Sequence, residues 1–502
     1  MSGCAPYHDA PNADLRPPPT CRVVAAASLI RHTAIYANDD EWEDYMQPFV
    51  ERVEKARKKA GKGKKNKKKN KKDKGKHGKI PDDSPLAFLN EWESPINDDN
   101  LESVTEPGRR DAHAWGSRIR KTYGHLMPPK HLGKGKDPQE RKPKPVPPFK
   151  VWSASSTRDV ITSQEWIKGA FPDWQGGEDG DGDGTVISLV KVPNNNTDWA
   201  NSLTPHKICP AFTKEAGKPE AQAWLETYGP PILERLRGWA PSLNLELNDV
   251  IAMGMMCGYE SVIYKDRESP FCSTKIFHPD DFRAFGYWND IKYHHIVGYG
   301  SPIAPYLGVG WLNTSTHNLL SAYAKPHPHP NETSLSHVDA ASTSSSKKKK
   351  KPNLPPPSAP PDATHTQLFF PYITHREEPP LALVALGIWN TTSLPTDRMD
   401  PARKWKTSHL LPFLGHVTLE RLACAVEEFD GRPRSSNDDD DDEEEEGETV
   451  DYIRIMVNGA PQQLEHCRDG PGGMCEMGQF GKFVEERVET YKDREGACEK
   501  KE

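Results

Sequence analysis

Three short stretches of this chain place basic and acidic side chains at the ends of apolar runs. Arg31 and His32 close the run Val23 to Ile30, Arg158 follows the run that begins at Phe149, and His375 and Glu377 follow the run Leu368 to Ile373. If one sheet edge gathers all five, the natural ligand is a phosphate group. Guanidinium groups bind phosphate oxygens through two parallel hydrogen bonds and keep their charge at any relevant pH. One imidazole can attack phosphorus in line while a second hydrogen-bonds a phosphate oxygen. A protonated carboxyl then supplies the proton that the departing alkoxide needs. This division of labour predicts a phosphohistidine intermediate, hydrolysed afterwards by a water that the same carboxylate activates.

The elements that must position these groups follow one design. The first apolar run is too short for anything but a buried strand. The segment after it carries Trp42, Tyr45, Met46, Phe49 and Val53 at helical spacing. Asn38 or Asp39 caps that helix, with Asp40 and Glu41 in its first turn. In the second unit Phe149 to Trp152 read as strand, and Arg158 stands in the first turn of a helix bearing Val160, Ile161, Ile167 and Phe171. In the third, Pro379 and Pro380 open a helix as proline does at first-turn positions. Parallel strands that hand over to helices bind ligands at their carboxyl ends.

The expected fold class is α/β, a mixed sheet flanked by helices, with the α/β domain drawn from residues 20–170 and 360–502. Ala112, Trp115, Gly116, Ile119 and Tyr123 mark one face of a further helix in it. Helical patterns between about Ala211 and Leu320 predict an inserted, mainly α-helical subdomain over 200–325. Near the C-terminus, Asn458-Gly459 predicts a two-residue hairpin turn.

Composition sets outer limits. The 502 residues suffice for one large domain with an insertion or for two to three ordinary ones. Apolar content is 35 % and mean hydropathy −0.79, both lowered by polar blocks. These are a Lys-rich stretch at 55–80, a low-complexity linker at 326–365 that includes Lys347 to Lys351, and an acidic insertion at 433–449. The two insertions are read as disordered. Clustered lysines would release counterions from a nucleic-acid backbone, but no aromatic interleaving or recognition motif accompanies them, so nucleic acid is not the expected partner. The acidic loop EDGDGDGT lacks a calcium ligand set, because Val190 stands where a bidentate glutamate is needed, counted from Asp179. No apolar stretch is long enough for a membrane span.

Nine cysteines with no CxxC pair argue against zinc and leave buried thiols and disulfides equally open. Four sequons, at Asn195, Asn313, Asn331 and Asn390, favour a secretory route and glycosylation. The first residues show no apolar signal region, so either a signal peptide is missing from this version of the chain or the protein stays inside the cell.

These residues resemble the histidine acid phosphatase branch of the histidine phosphatase superfamily, which includes fungal acid phosphatases and phytases. The family's RHGxRxP motif corresponds to RHTAIYA at Arg31 to Ala37. Its mid-chain arginine corresponds to Arg158, and its C-terminal His-Asp or His-x-Glu to His375-Arg376-Glu377. The blocks LESVTEPGRR, NNTDWANSLTPHKICPAF and PFLGHVTLERLAC run in the family's order.

The resemblance implies a phosphoglycerate-mutase-like sheet and a secreted or cell-wall acid phosphatase acting on small phosphate esters without metal or organic cofactor. His32 would be the nucleophile and Glu377 the proton donor, with Glu378 as its substitute, while Arg31, Arg158 and His375 would hold the phosphate. It also implies the disulfides Cys21 with Cys424, Cys209 with Cys498, Cys257 with Cys272, and Cys467 with Cys475, leaving Cys4 over. The chain departs from the motif at Thr33, Ile35 and Ala37, which replace its glycine, second arginine and proline. A lost guanidinium removes hydrogen bonds worth roughly 1.5–3 kcal/mol each. Arg376 could compensate. The alternative is a weak or inactive member that binds phosphorylated ligands. Nothing in the sequence assigns an oligomeric state.

Overall fold

The computed structural model describes residues 3–66, 79–128, 148–174, 187–264, 267–322, 367–391, 393–425 and 449–500. In chain order, strand β1 (Cys21–Arg31) leads through a short helical turn α1 (Asp39–Glu41) and a π-turn at Trp42–Met46 into α2 (Gln47–Asn66). Next come α3 (Glu106–Tyr123), β2 (Phe149–Ala154), α4 (Thr157–Ala170) and β3 (Ile187–Val192). Four long helices follow, α5 (Lys218–Trp239), α6 (Leu247–Ile263), α7 (Pro279–Ile296) and α8 (Ala304–Ser321). The chain then returns to the sheet with β4 (Phe369–Thr374), α9 (Glu378–Leu386), β5 (His416–Ala425), β6 (Thr449–Val457), β7 (Ala460–Gln462) and β8 (Cys475–Glu476). It ends in α10 (Met477–Thr490) and α11 (Arg494–Cys498).

The sheet is mixed, with strand order β3-β2-β4-β1-β5-β6-β7 and β8 paired to β6. β3, β2, β4 and β1 run parallel, and β5 turns antiparallel against β1. Residues 25–31 of β1 are buried throughout, as expected of a central strand covered on both faces, which is why this run shows no polar alternation. Successive side chains still divide between two cores. Ala26 and Ile30 pack with Trp115, Ile119, Trp166 and Phe369 beneath α3 and α4, whereas Ala27 and Leu29 join the larger cluster beneath α8 and α9. Arg31 pairs with Thr374 and Trp152 with Tyr372, so β1, β2 and β4 end side by side.

Helices α3 and α4 cross without a side chain between them at two points. A Cβ at Gly116 would meet the carbonyl of Trp166, and one at Gly169 would meet that of His113. Gly116→Ala is therefore expected to destabilise the fold by about 1–3 kcal/mol, read as a lower midpoint in thermal or denaturant unfolding.

All four expected disulfides are formed, and Cys4 is the free, buried ninth cysteine. The bridge from Cys21 to Cys424 ties the start of β1 to β5 across 403 residues. Among the described residues no helix is long and apolar enough to cross a membrane.

Three expectations need correction. The Lys-rich stretch is not wholly irregular: α2 runs through Asn66, because Lys and Ala are good helix formers. The α/β part does not pause at residue 170, since β3 at Ile187–Val192 forms the far edge of the same sheet. The sequon at Asn313 lies within α8 at 1 % exposure, where packing closes it to a glycan. Asn195 and Asn390 are exposed. Asn331, the 326–365 linker with Lys347 to Lys351, the loop after Asp179 and most of the acidic insertion lie outside the described residues.

Candidate active site

The carboxyl ends of β1, β2 and β4 bring together Arg31, His32, Arg158, His375 and Glu377. The parallel register does this directly, because Arg31 is the last paired position of β1, His32 and His375 follow the last paired positions of β1 and β4, and Arg158 and Glu377 stand at the starts of the helices that follow β2 and β4. His32 is 1 % exposed, and its ring lies edge-on to that of His375 with centroids 6.4 Å apart. Its Nδ1 is 2.8 Å from the carbonyl oxygen of Thr33. That bond requires the proton on Nδ1 and leaves Nε2 with a free lone pair. Burial, followed by the charges of Arg31 and Arg158, holds the His32 imidazole well below its ordinary value of 6.5, so it stays neutral in mild acid.

Arg31 is anchored at one nitrogen and unpartnered at its other edge. Nη1 donates to the carbonyl of Gly3 at 2.6 Å and to that of Leu411, and the guanidinium lies 4.1 Å above the Phe413 ring. Nε and Nη2 are buried with no hydrogen-bond partner among the described residues. These two donors form the parallel fork that takes two oxygens of one tetrahedral anion. An orphaned charged edge of this kind is costly unless something binds to it.

Arg158, in the first turn of α4, pairs through Nη1 with Glu102 at 2.6 Å and donates through Nη2 to His375 Nδ1 at 3.1 Å. Its Nε is also buried without a partner. His375, expected to donate to phosphate, has both ring nitrogens on protein partners: Nδ1 on Arg158, and Nε2 within 3.1 Å of Ser156 Oγ and 3.0 Å of Asp159 Oδ2. In this arrangement His375 orients Arg158.

The two adjacent glutamates have separate environments. Glu378 Oε1 bonds His206 Nδ1, and its Oε2 accepts from Thr374 Oγ1 at 3.2 Å. Glu377 is buried at the start of α9, 3.8 Å from Arg376 Nε. Burial alone would raise its carboxyl, but His206, Arg376, Lys214 and His375 outweigh it and hold Glu377 well below the usual carboxylate range. One nitrogen of His206, one of His375 and one oxygen of Glu377 lie within 4.8 Å of one another. His375 already has both ring nitrogens on protein groups and so offers none to a metal, and this trio does not read as a metal centre.

The departures from the motif have local explanations. Thr33 donates its hydroxyl to Gly108 O at 2.7 Å, so the extra side chain braces α3 against the strand end, while its backbone amide, which a glycine would also offer, donates to Thr162 Oγ1 of α4 at 3.0 Å. Ile35 is fully buried in the core and bridges to Val104. Arg376 is buried beside the site, bound to Glu41 at 2.6 Å, and its charge helps lower Arg31 to about 10, after burial itself. The sequence alone did not single out His206, Asp159 or Gly3, and it marked Glu41 only as a first-turn acid of a helix. His206 sits in the block LTPHK, whose only signal was its order along the chain.

A family model described as histidine phosphatase superfamily (branch 2) matches residues 57–458. The chain belongs to this superfamily. The matched span includes Arg158, His375 and Glu377 and begins after His32. An acid phosphatase of Komagataella pastoris is 22 % identical over 409 residues, covering 79 % of this chain and 68 % of that protein. Phytase A of Aspergillus oryzae is 21 % identical over 471 residues, covering 92 % and 82 %. Among solved structures, the phytase from D. castellii superposes with a TM-score of 0.66 at 19 % identity, over 98 % of this chain and 86 % of that one. That likeness supports the mixed-sheet fold of the family.

Proposed function

We propose that this branch 2 histidine phosphatase hydrolyses phosphomonoesters of small molecules through a phosphohistidine at His32. The observation that carries the reading is the pairing of a nucleophile and an anion fork: His32, whose Nδ1–H bond leaves Nε2 unprotonated, and Arg31, with Nε and Nη2 unpartnered, are chain neighbours packed against the same Phe413 ring. A phosphate seated on that fork, with Arg158 Nε as a third donor, has its phosphorus presented to His32 for in-line attack. The P–O ester bond breaks as the P–Nε2 bond forms, and Glu377 delivers the proton to the leaving oxygen. Water then attacks phosphorus, gives its proton to Glu377 and releases His32. His375, held on its other nitrogen by Ser156, keeps Arg158 aligned. The names of the relatives, acid phosphatase and phytase, do not favour a binder without turnover. Four disulfides and exposed sequons support a secreted or cell-wall location.

Phosphate release from an aryl phosphate, followed against pH, tests the reading. The folded value of His32 is lowered, so its neutral, nucleophilic form persists as pH falls below 6.5 and is lost only well below it. The acid limb of kcat/KM is therefore expected well below pH 6.5. A limb at or above that value, or no release at any pH, contradicts the assignment.

Arg376 supports the reading by supplying positive charge where Ile35 does not. Exchanging Arg376 and Glu41 together for glutamine avoids leaving the Glu41 carboxylate buried without its partner, while Glu377 loses one of the cations around it and keeps Lys214 and His206. The double variant is expected to lose about ten- to a hundredfold in kcat/KM, the worth of one charge-assisted hydrogen bond. An unchanged kcat/KM would remove Arg376 from the site.

A further inference from the structure

None of the roles above uses His206, although it is 6 % exposed and packed against the reacting groups. It stands in a 3-10 turn at Pro205–Ile208, its ring 5.7 Å from that of His375 and 5.0 Å from Phe212. One nitrogen is bonded to Glu378, and the ring lies within the same 4.8 Å cluster as a Glu377 oxygen. The titratable groups facing it are Glu378 and Glu377 from the start of α9, its neighbour Lys207, and His375 at the end of β4.

Two facts then need a common explanation. Glu377 must deliver a proton, yet its cationic neighbours favour the ionised form. His206 is pushed in the opposite sense: burial disfavours its charge, but Glu378 and Glu377 outweigh burial and raise it above its ordinary value. The proton that the leaving group requires is thus held next to Glu377 rather than on it.

We propose that His206, held by Glu378, is the proton reservoir for Glu377. This rests on the reading of Glu377 as proton donor. In the first half-reaction the ester P–O bond breaks and the bond from phosphorus to His32 Nε2 forms. The leaving oxygen takes a proton from Glu377, and Glu377 is resupplied by His206, which remains as neutral imidazole bonded to Glu378. In the second half-reaction water oxygen bonds to phosphorus as the P–N bond breaks, and its proton passes through Glu377 back to His206. Nothing is consumed beyond ester and water.

The experiment compares single-turnover cleavage of 4-nitrophenyl phosphate, whose leaving group scarcely needs a proton, with that of glycerol 2-phosphate, whose alkoxide does. The full chain, His206→Gln, Glu378→Gln and Glu377→Gln are assayed across pH. His206→Gln is expected to slow the alkyl ester about tenfold or more and the aryl ester far less. Glu378→Gln keeps hydrogen-bond acceptors but removes the charge that raises His206. It is expected to shift the alkaline limb for the alkyl ester to lower pH, and it decides alone if His206→Gln does not fold. Equal slowing of both esters with an unmoved limb would make His206 a structural residue and overturn the proposal. If Glu377→Gln discriminates between the esters while both other variants do not, only the reservoir fails. If Glu377→Gln does not discriminate, the donor reading fails with it.

Discussion

His32→Ala is expected to abolish phosphate release, with kcat down by about 10⁴-fold or more, because no other group can form the covalent intermediate. The imidazoles nearest to it are poorly suited to take over. His375 has Nδ1 on Arg158 and Nε2 against Ser156 and Asp159, and His206 is bound to Glu378. The variant should still bind phosphate, since the Arg31 fork and Arg158 Nε do not involve His32. Retained phosphate binding with lost turnover is thus the combined signature, measured by calorimetry and by phosphate release on the same sample. Turnover within tenfold of the wild type would mean that a water, not an imidazole, attacks phosphorus.

Glu377→Gln carries the second largest effect. A general acid contributes about 10²- to 10⁴-fold, and the loss should fall on esters whose leaving oxygen needs a proton. Steady-state kcat for an alkyl phosphate is therefore expected to drop by at least about 10²-fold. The neighbouring Glu378→Gln variant distinguishes the two carboxylates. Glu378 is committed to His206 and Thr374, so its loss should move the pH profile and stability without removing the donor. A larger fall in alkyl phosphate turnover for Glu378→Gln than for Glu377→Gln would exchange their roles.

The three strand ends were legible in the sequence because parallel strands buried on both faces read as unbroken apolar runs, and chemistry must follow where such a run stops. Arg31, Arg158 and Glu377 could be picked out on that ground alone. What the sequence did not show was made by tertiary contact. The carbonyl of Gly3 reaches Arg31 and the carboxylate of Glu41 reaches Arg376 across long stretches of chain; no local pattern marks Gly3, and Glu41 is marked only as a helix's first-turn acid. Asn313 failed for the complementary reason, since a sequon is a local motif and burial in α8 is not. The lysines after Lys55 were read by charge as disordered, whereas helix propensity carried α2 through Asn66. His375 was recognised by position, but its contacts with Arg158 and Ser156 were not readable from the sequence.

The central claim is a phosphoryl group on His32, and trapping it is the most direct measurement. The protein is mixed at acid pH with a ³²P-labelled aryl phosphate, stopped in denaturant during the first turnover, and digested under conditions that preserve phosphoramidates. The account predicts label on the peptide that contains His32 in the wild type and none in His32→Ala. Rapid phosphate release with no labelled protein, or label on a peptide carrying His206 or His375, would contradict it.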